Sequence, residues 1–432
     1  MHINRVLLTY LFCCFGSIVL AQPKTDALLK NILDGDKSAI VKQVLQHPDE
    51  YRPQIIYTQI NRDKNNTPTF TNYYYNVDSL LYFNPASTVK LPLALLSLEK
   101  LDAMNMPGVN KLTSMQFDSG YNTLKPEYKD STSATGLPSI AQFIRKAFLV
   151  SDNDAYNRMY EFLGQQDINR NLHSKGYTDA RIVRHFYRMT YDQNRHSSQI
   201  RFINPNGSNI YIQPPSYNKD SFDFSHINKI GVGYLNSNDS LVNEPMDFTL
   251  HNNVSLHDYQ QILQSVMFPQ SVPEKQRFRL TKEDYSFLYQ YLSQLPSETN
   301  YPKYDTAKFY DTYVKFFFMD SLHKKMPDGV RVFNKVGWAY GFLTDISYVV
   351  DFKHNIEYML TATVYANSDG ILNDDKYDFE TVAHPFMYNI GQAVYQYELQ
   401  RKRAYKPDLS AFKIKYEKRL KDKRPVITEV DN

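Results

Sequence analysis

The chain has 432 residues, 42% of them hydrophobic, and its formal net charge is +3. This length and apolar share provide for one large domain or two smaller ones and exclude a chain that is disordered throughout. The charge is too small for a nucleic-acid binder that relies on neutralising phosphates, so no nucleic-acid partner is expected.

The N-terminus has the pattern of a secretory signal peptide. Arg5 provides a small positive segment, residues 6–20 are apolar, and cleavage is predicted after Ala21. The apolar stretch is short for a membrane span, although an uncleaved signal anchor is the alternative. Cys13 and Cys14 lie inside it, so its removal leaves no cysteine for a disulfide or a metal site. A periplasmic or secreted protein without a transmembrane span is therefore predicted.

The first part of the mature chain predicts helices followed by a hairpin. Apolar spacing predicts one or two short helices between residues 24 and 47. Residues 54–61 alternate in the manner of a strand, and residues 70–77 form the returning strand. The hairpin leads directly into residues 82–92.

Residues 82–92 place a serine and a lysine at the start of a predicted helix. Asn84 can cap this helix and Pro85 suits its first position, so Ser87 falls in the first turn. Lys90 follows three residues later on the same face. A serine hydroxyl is a poor nucleophile until a neighbouring base takes its proton, and the amine of Lys90 can serve as that base. The alternative is a half-buried helix with an incidental serine and lysine, because Ser-x-x-Lys is common by chance.

The middle of the chain predicts three helices, over residues 139–150, 154–163 and 167–173. Ser151-Asp152-Asn153 lies between the first two, where it can also serve as a helix cap. Residues 112–128 are irregular. Alternating apolar residues between turn-forming clusters predict one or two added hairpins within residues 190–253. These hairpins can be a lid over a cleft or a surface embellishment.

The C-terminal part predicts helices and then three consecutive strands. Lys335-Val336-Gly337 lies at the end of the first of these strands, where it can also be a strand end with a turn glycine. Residues 401–432 are charged and contain proline, which predicts an extended tail. The predicted helices cover residues 255–268, 281–295 and 379–397, and the predicted strands cover residues 330–336, 344–350 and 357–366.

The order Ser-x-x-Lys, Ser-Asp-Asn, Lys-x-Gly resembles the superfamily of serine β-lactamases and penicillin-binding proteins, and class A β-lactamases are the most similar group. The resemblance implies an α/β (α+β) fold with an antiparallel sheet flanked by helices, an all-helical half and, here, an inserted β-hairpin region. Together with the N-terminal and C-terminal patterns described above, it divides the chain into a signal peptide (1–21), a serine hydrolase domain (22–400, insertion about 190–253) and a charged C-terminal tail (401–432).

The resemblance implies a role for each residue of the three motifs. Ser87 is the acylated nucleophile, Lys90 accepts its proton, and Ser151 relays a proton to the leaving nitrogen. Asn153, Lys335 and Gly337 bind substrate. The backbone N–H groups of Ser87 and Trp338 form the oxyanion hole, the kind of preorganised donor pair that such reactions need. No cofactor is expected, and the eleven histidines show no metal-binding spacing.

Two departures from the family pattern modify this expectation. Val336 replaces the usual threonine or serine hydroxyl that helps to bind the substrate carboxylate. Residues 178–184 resemble the start of the family's omega loop, but no glutamate follows Arg184 at the expected place, and this glutamate serves deacylation in class A enzymes. We therefore expect Ser87 to be acylated while β-lactam turnover is slow or absent.

The function predicted from the sequence is that of a secreted, monomeric serine hydrolase acting on an amide or ester. A small-molecule β-lactam or a peptidoglycan-derived compound is the expected substrate, and β-lactam hydrolysis would confer antibiotic resistance. The alternatives are a D,D-peptidase or esterase of the same fold, and a non-hydrolysing envelope binding or sensor protein. A pure binding role is disfavoured, because a binding module has no need of all five of the residues Ser87, Lys90, Ser151, Asn153 and Lys335.

Overall fold

The computed structural model describes residues 23–121, 123–320, 325–421 and 424–430. The predicted signal peptide and both cysteines lie outside these residues. Within the described ranges, every helix is too short or too polar to cross a membrane.

The described residues form ten α-helices and fifteen strands. The helices are α1 (Ala27–Asp34), α2 (Ala39–Gln46), α3 (Pro48–Tyr51), α4 (Lys90–Met104), α5 (Ile140–Leu149), α6 (Asn153–Leu163), α7 (Gln165–Ser174), α8 (Leu256–Met267), α9 (Lys282–Ser293) and α10 (His384–Gln400). The strands are β1 (Gln54–Arg62), β2 (Pro68–Tyr75), β3 (Ser114–Phe117), β4 (His196–Ser197), β5 (Ile200–Ile203), β6 (Asn209–Gln213), β7 (Ser216–Tyr217), β8 (Lys229–Ile230), β9 (Gly233–Leu235), β10 (Leu241–Val242), β11 (Met246–Asp247), β12 (Val330–Ala339), β13 (Phe342–Asp351), β14 (Ile356–Tyr365) and β15 (Ile371–Leu372).

The largest sheet joins the two ends of the chain. Its strand order is β12-β13-β14-β1-β2, and all neighbouring strands are antiparallel. The turn between β12 and β13 holds Tyr340 and Gly341, both at positive φ (52° and 80°), as a two-residue type I′ hairpin requires. Gly337 lies inside β12 and not in this turn. The predicted mixed fold with an antiparallel sheet is confirmed.

The two faces of this sheet carry two hydrophobic cores. Successive side chains of a strand point to opposite faces, so Ile56 is buried in one core while Ile55 and Tyr57 are buried in the other. The first core lies toward α8, which packs on β1, β13 and β14. The second core lies toward α10, which packs on β14, α1 and α2. The sheet is therefore the middle layer of the domain.

Helix α4 is the centre of the helical half. Its residues from Leu91 to Leu98 are buried on all sides, which is typical of a helix that is apolar all round. Helices α5 and α6 pack against it. Ser139 caps α5 by accepting a hydrogen bond from the backbone of Gln142 at 3.2 Å, as the sequence pattern favours.

The region from residue 190 to residue 253 forms short hairpins, as predicted. Strand β5 pairs with β6 and β9 pairs with β10, whereas β8 pairs with β11. Strand β5 also pairs with β3, inside the segment 112–128 that the sequence analysis predicts to be irregular. That prediction was wrong for residues 114–117. This four-residue strand is stabilised by pairing with β5, more than 80 positions away, so its own sequence carries little signal.

The C-terminal segment is extended, and it packs along the domain. Phe412 is only 5% exposed and contacts the rings of Tyr289, Phe333 and Tyr348. Further along, the backbone N–H of Ile427 donates to the carbonyl of Lys303 at 2.8 Å. Charge and proline content alone did not predict this packing.

Candidate active site

The segment before α4 begins with a 3-10 turn, Ala86–Val89, that contains Ser87. Asn84 does not cap α4: its Oδ1 accepts from the backbone N–H of Ala86 at 2.9 Å and makes a local Asx turn. Ala86 has a φ of +44°, which a right-handed helix does not allow. The predicted helix start at Asn84 and Pro85 was therefore wrong, and the left-handed residue displays Ser87 ahead of the regular helix.

Lys90 is the centre of a hydrogen-bonded cluster. Its side chain has no exposed surface, and its Nζ lies 2.7 Å from Ser87 Oγ. The same amine lies 2.8 Å from Asn153 Oδ1 and 3.3 Å from Ser151 Oγ, and it also contacts the carbonyl oxygen of Ser151. The spacing of three residues thus places amine and hydroxyl together, as predicted from the sequence.

Ser151 connects the two lysines of the site. Lys335 Nζ donates to Ser151 Oγ at 2.9 Å and to the carbonyl of Val336 at 2.7 Å. Burial lowers the pKa of Lys335 well below its usual value, and the positive charge of Lys90 lowers it further. Ser151 has a φ of +66°, a strained conformation of the kind that folds retain at functional sites.

The Ser-Asp-Asn motif also caps a helix. Asp152 is the N-cap of α6, and its Oδ1 accepts from the backbone N–H of Ala155 at 2.8 Å. Ser151 and Asn153, on either side, both contact Lys90. Both interpretations of the motif therefore hold: Asp152 caps the helix, and Ser151 and Asn153 contact Lys90.

Strand β12 approaches the backbone of Ser87 closely because Gly337 has no side chain. A Cβ at this position would lie 2.8 Å from the carbonyl oxygen of Pro85 and 2.9 Å from the backbone nitrogens of Ser87 and Thr88. The next residue, Trp338, packs its indole on Tyr313 and Phe316. The predicted role of Trp338 in an oxyanion hole involves its backbone N–H group. The packing of the indole side chain does not test that prediction.

Ser87 opens onto a cleft of about 510 Å³. Two arginines line the cleft, and none of the lining residues is acidic. The lining residues are Asn84, Ala86, Ser87, Asn153, Arg184, His185, Phe186, Tyr187, Arg188, His251, Asn252, Trp338, Ala339 and Tyr340. Val336 is absent from this set, since its side chain is fully buried in the second core.

Phe186 lies over Lys90 in the loop where the family pattern places a glutamate. Its ring centroid is 5.2 Å from Lys90 Nζ and it stacks on Tyr156 with a centroid distance of 4.1 Å. The backbone N–H of Phe186 donates to Asn157 Oδ1 at 2.7 Å, which fixes the loop on α6. Nothing in the sequence pattern predicted that an aromatic ring would cover the lysine.

One buried histidine and one buried glutamate lie below this loop, and neither reaches the cleft with its side chain. His185 Nε2 is 2.8 Å from Glu161 Oε1, and the exposed fractions of the two side chains are 0% and 1%. The other ring nitrogen of His185 is 3.1 Å from Asn194 Oδ1. The other oxygen of Glu161 accepts from the backbone N–H of Ser198 at 2.6 Å, so this buried carboxylate does not stand in for the missing one.

The structure brings all seven predicted residues to one place, and it adds Phe186, Arg184, His251 and Tyr340 to the cleft. Arg184 meets His251 because the ends of the inserted region are joined. The backbone groups of Arg181 and Asn253 exchange two hydrogen bonds, of 2.7 and 2.8 Å. Such pairing between distant segments leaves no local sequence signal.

Comparisons with known proteins point to one family. Residues 39–209 match Beta-lactamase2, described as the beta-lactamase enzyme family. The matched stretch includes the Ser-x-x-Lys and Ser-Asp-Asn motifs and ends before Lys335. A search of curated proteins returns no match.

Several solved structures are similar to this chain. The β-lactamase from Sphaerobacter thermophilus is 12% identical with a TM-score of 0.46, and the alignment covers 86% of this chain and 96% of that one. The β-lactamase from Streptosporangium roseum is 14% identical, with a TM-score of 0.46 and coverage of 86% and 100%. A mutant of PBP-A, solved as an acyl-enzyme complex with penicillin G, is 13% identical, with a TM-score of 0.47 and coverage of 87% and 100%.

Proposed function

We propose that this chain is a serine hydrolase that is acylated on Ser87 by a β-lactam or a peptidoglycan-derived amide or ester, and the match of residues 39–209 to the beta-lactamase enzyme family supports this proposal. The observation that carries the proposal is the 2.7 Å contact between Lys90 Nζ and Ser87 Oγ at the floor of an open cleft. We further propose that the protein is secreted, is a monomer and needs no cofactor.

The proposed acylation uses the cluster in a defined order. Ser87 Oγ attacks the carbonyl carbon while its proton passes to Lys90 Nζ, and the new oxyanion accepts hydrogen bonds from the backbone N–H groups of Ser87 and Trp338. The C–N or C–O bond of the substrate then breaks. The leaving atom takes its proton from Ser151 Oγ, which regains one from the adjacent lysines, 3.3 and 2.9 Å away. Asn153 would hold the acyl amide of the substrate.

Release of the acyl group requires a water molecule activated by a base. The ring of Phe186 occupies the space above Lys90, and the cleft lining contains no carboxylate. A β-lactam-derived acyl group is therefore expected to remain on Ser87 for a long time. The same observation favours a D,D-peptidase or esterase as the second candidate over an efficient β-lactamase.

Intact-protein mass spectrometry after incubation with benzylpenicillin tests the proposal. We expect the wild-type protein to gain the mass of one benzylpenicillin and to keep it after removal of the free drug. Ser87→Ala should show no gain, because the attacking oxygen is absent. Ser97→Ala is the matched control, since Ser97 lies on the same helix α4, is fully buried and has an Oγ without a hydrogen-bond partner among the described residues.

The two variants separate the possible results. An adduct on the wild type and on Ser97→Ala but not on Ser87→Ala supports the proposal. Rapid loss of benzylpenicillin without any adduct would mean efficient hydrolysis and would contradict slow release. An adduct that persists on Ser87→Ala would place the acyl group on another residue and overturn the assigned nucleophile.

A further inference from the structure

The end of the cleft beyond Phe186 is built around an arginine. Arg184 is half-buried and lines the cleft. Its backbone is fixed, because its N–H donates to Asn252 Oδ1 at 2.9 Å and its carbonyl accepts from the hydroxyl of Tyr156 at 2.7 Å. The arginine is thus held at the join between the loop and the end of the inserted region.

His251 holds the guanidinium of Arg184. Arg184 Nη1 contacts His251 Nε2, and the ring of His251 lies 6.1 Å from that of Tyr340 in the β12–β13 turn. Burial lowers the pKa of His251 to about 3, and the charge of Arg184 adds to this effect. The ring is therefore neutral near pH 7, so it accepts a hydrogen bond from the arginine without neutralising its charge.

In the part of the chain that the structure describes, the charge of Arg184 is not matched by a carboxylate. Among the described residues, no aspartate or glutamate lies within ion-pair distance of its guanidinium, and the cleft lining contains none. Arg188, which also lines the cleft, is exposed and adds positive charge at the rim. Retaining a half-buried guanidinium beside a neutral histidine costs free energy, which an anionic ligand would recover.

The direction of the cleft indicates which part of a substrate would meet this charge. Ser151, the proposed donor to the leaving atom, contacts Lys335, so the leaving group lies at the Lys335 end. Tyr340 is five residues further along β12 and its turn, about 16 Å away at the rise of a strand. The acyl part of a substrate bound to Ser87 would extend toward Tyr340, His251 and Arg184.

We propose that Arg184, positioned by His251, binds a carboxylate on the acyl side of the substrate, so that the preferred substrates carry an acidic group on the part that becomes attached to Ser87. This inference rests on the proposed acylation of Ser87 and specifies its substrate class. Arg184 acts as a binding residue, and His251 acts through it as a positioning residue.

Two penicillins test the inference directly. Carbenicillin differs from benzylpenicillin by one carboxylate on the acyl side chain. The rate of adduct formation on the wild-type protein is measured for both by intact-protein mass spectrometry over a range of concentrations. We expect carbenicillin to acylate the wild-type protein about tenfold faster or more, which is the effect expected of a hydrogen bond between charged groups.

Variants show whether Arg184 causes the preference. Arg184→Gln should bring the ratio of the carbenicillin rate to the benzylpenicillin rate down to about one, and this ratio, rather than either absolute rate, is the readout. Arg184→Lys keeps the charge but not the planar pair of donors, so we expect a smaller preference that disappears as salt is added. Arg170→Gln is the control for net charge, because Arg170 pairs with Asp220 away from the cleft.

Each outcome decides one statement. Equal rates for the two penicillins on the wild-type protein, or a preference that survives Arg184→Gln, would overturn the carboxylate site and leave the acylation of Ser87 in place. If Arg170→Gln loses the preference for carbenicillin as fully as Arg184→Gln does, the preference depends only on the net charge of the protein. That result would also overturn the carboxylate site. Absence of any adduct with either penicillin would overturn the proposed function, and the carboxylate site with it.

Discussion

Phe186 determines what can happen to an acyl group on Ser87. The ring covers Lys90, and the cleft lining among the described residues offers no carboxylate beside the ester that acylation would form. We predict that Phe186→Glu shortens the lifetime of the benzylpenicillin adduct by about 100-fold, because a carboxylate there can take a proton from the attacking water. The remaining adduct is followed by intact-protein mass spectrometry after the free drug has been removed.

A neutral variant at the same position separates charge from space. Phe186→Gln removes the ring to the same extent but provides no base, so its adduct should persist nearly as long as that of the wild-type protein. Equal acceleration in both variants would show that the ring acts only by excluding water. The deacylation argument would then have to be abandoned.

The sequence predicted the motif residues of the site, but it did not predict the residues that surround them in the cleft. Ser87 and Lys90 are three positions apart, and in the 3-10 turn that leads into α4 this spacing brings their side chains together. The contact between Arg184 and His251 joins residues 67 positions apart, and it depends on how the inserted region closes. No local rule predicts such a contact. The same holds for the ring of Phe186 over Lys90.

At the scale of single elements, α8 carries an acidic residue that opposes folding at neutral pH. Asp258 lies in the first turn of α8, where burial raises the pKa of its carboxyl to about 7 and the charge of Asp179 adds to the shift. One of its oxygens is buried without a hydrogen-bond partner among the described residues. The folded protein therefore keeps a proton that the unfolded chain releases near pH 4.

The raised pKa sets the sign of the pH dependence. Between about pH 4 and pH 7 the folded state binds more protons at Asp258 than the unfolded state, so the free energy of unfolding falls as pH rises. We predict that Asp258→Asn flattens this fall and stabilises the protein at pH 8 by about 2 kcal/mol. Urea denaturation of both proteins at pH 5 and pH 8 measures the difference.

The pH comparison contains its own control. At pH 5 the carboxyl is already protonated in the folded state, and the asparagine variant should gain much less there than at pH 8. An equal change at both pH values would assign the effect to packing and not to titration. A loss of stability at pH 8 would contradict the prediction outright.

Elements with strong local patterns followed the sequence closely. Helix α9 begins where Thr281 and Asp284 predict, and the two residues form a complete capping box. The start of α4 did not follow its cap signal, because Ala86 adopts a left-handed conformation that displays Ser87. Strand β3 was missed because it needs β5 beside it. Capping residues and hydrophobic patterns thus predicted the helices and strands correctly, except where tertiary contacts or the geometry around Ser87 imposed a different backbone conformation.

At the scale of the whole molecule, the C-terminal segment is part of the folded domain. Phe412 lies among Tyr289, Phe333 and Tyr348, so it bridges α9 with strands β12 and β13. We predict that Phe412→Ala lowers the free energy of unfolding by about 3 kcal/mol, through lost burial and an unfilled cavity. Urea denaturation followed by circular dichroism gives the value.

A second aromatic residue of the same segment provides the control. Tyr405 is 48% exposed, so Tyr405→Ala should change the free energy of unfolding by no more than about 0.5 kcal/mol. If both variants lose a similar amount of unfolding free energy, the segment stabilises the domain along its whole length and not through Phe412 in particular. No loss in either would mean that the domain folds independently of residues beyond α10.

The pairing of β1 with β14 also affects the order in which a growing chain can fold. Strand β1 leaves the ribosome early, but residues 356–365 must be synthesised before its second edge is covered. At 5–20 residues per second, about 300 residues take roughly 15–60 s to add. During that time the edge of β1 that later pairs with β14 is open, and for most of it the strand that carries Lys335 has not been made. A nascent chain would thus contain Ser87 long before Lys335 could join it, and it would need protection from aggregation while it waits.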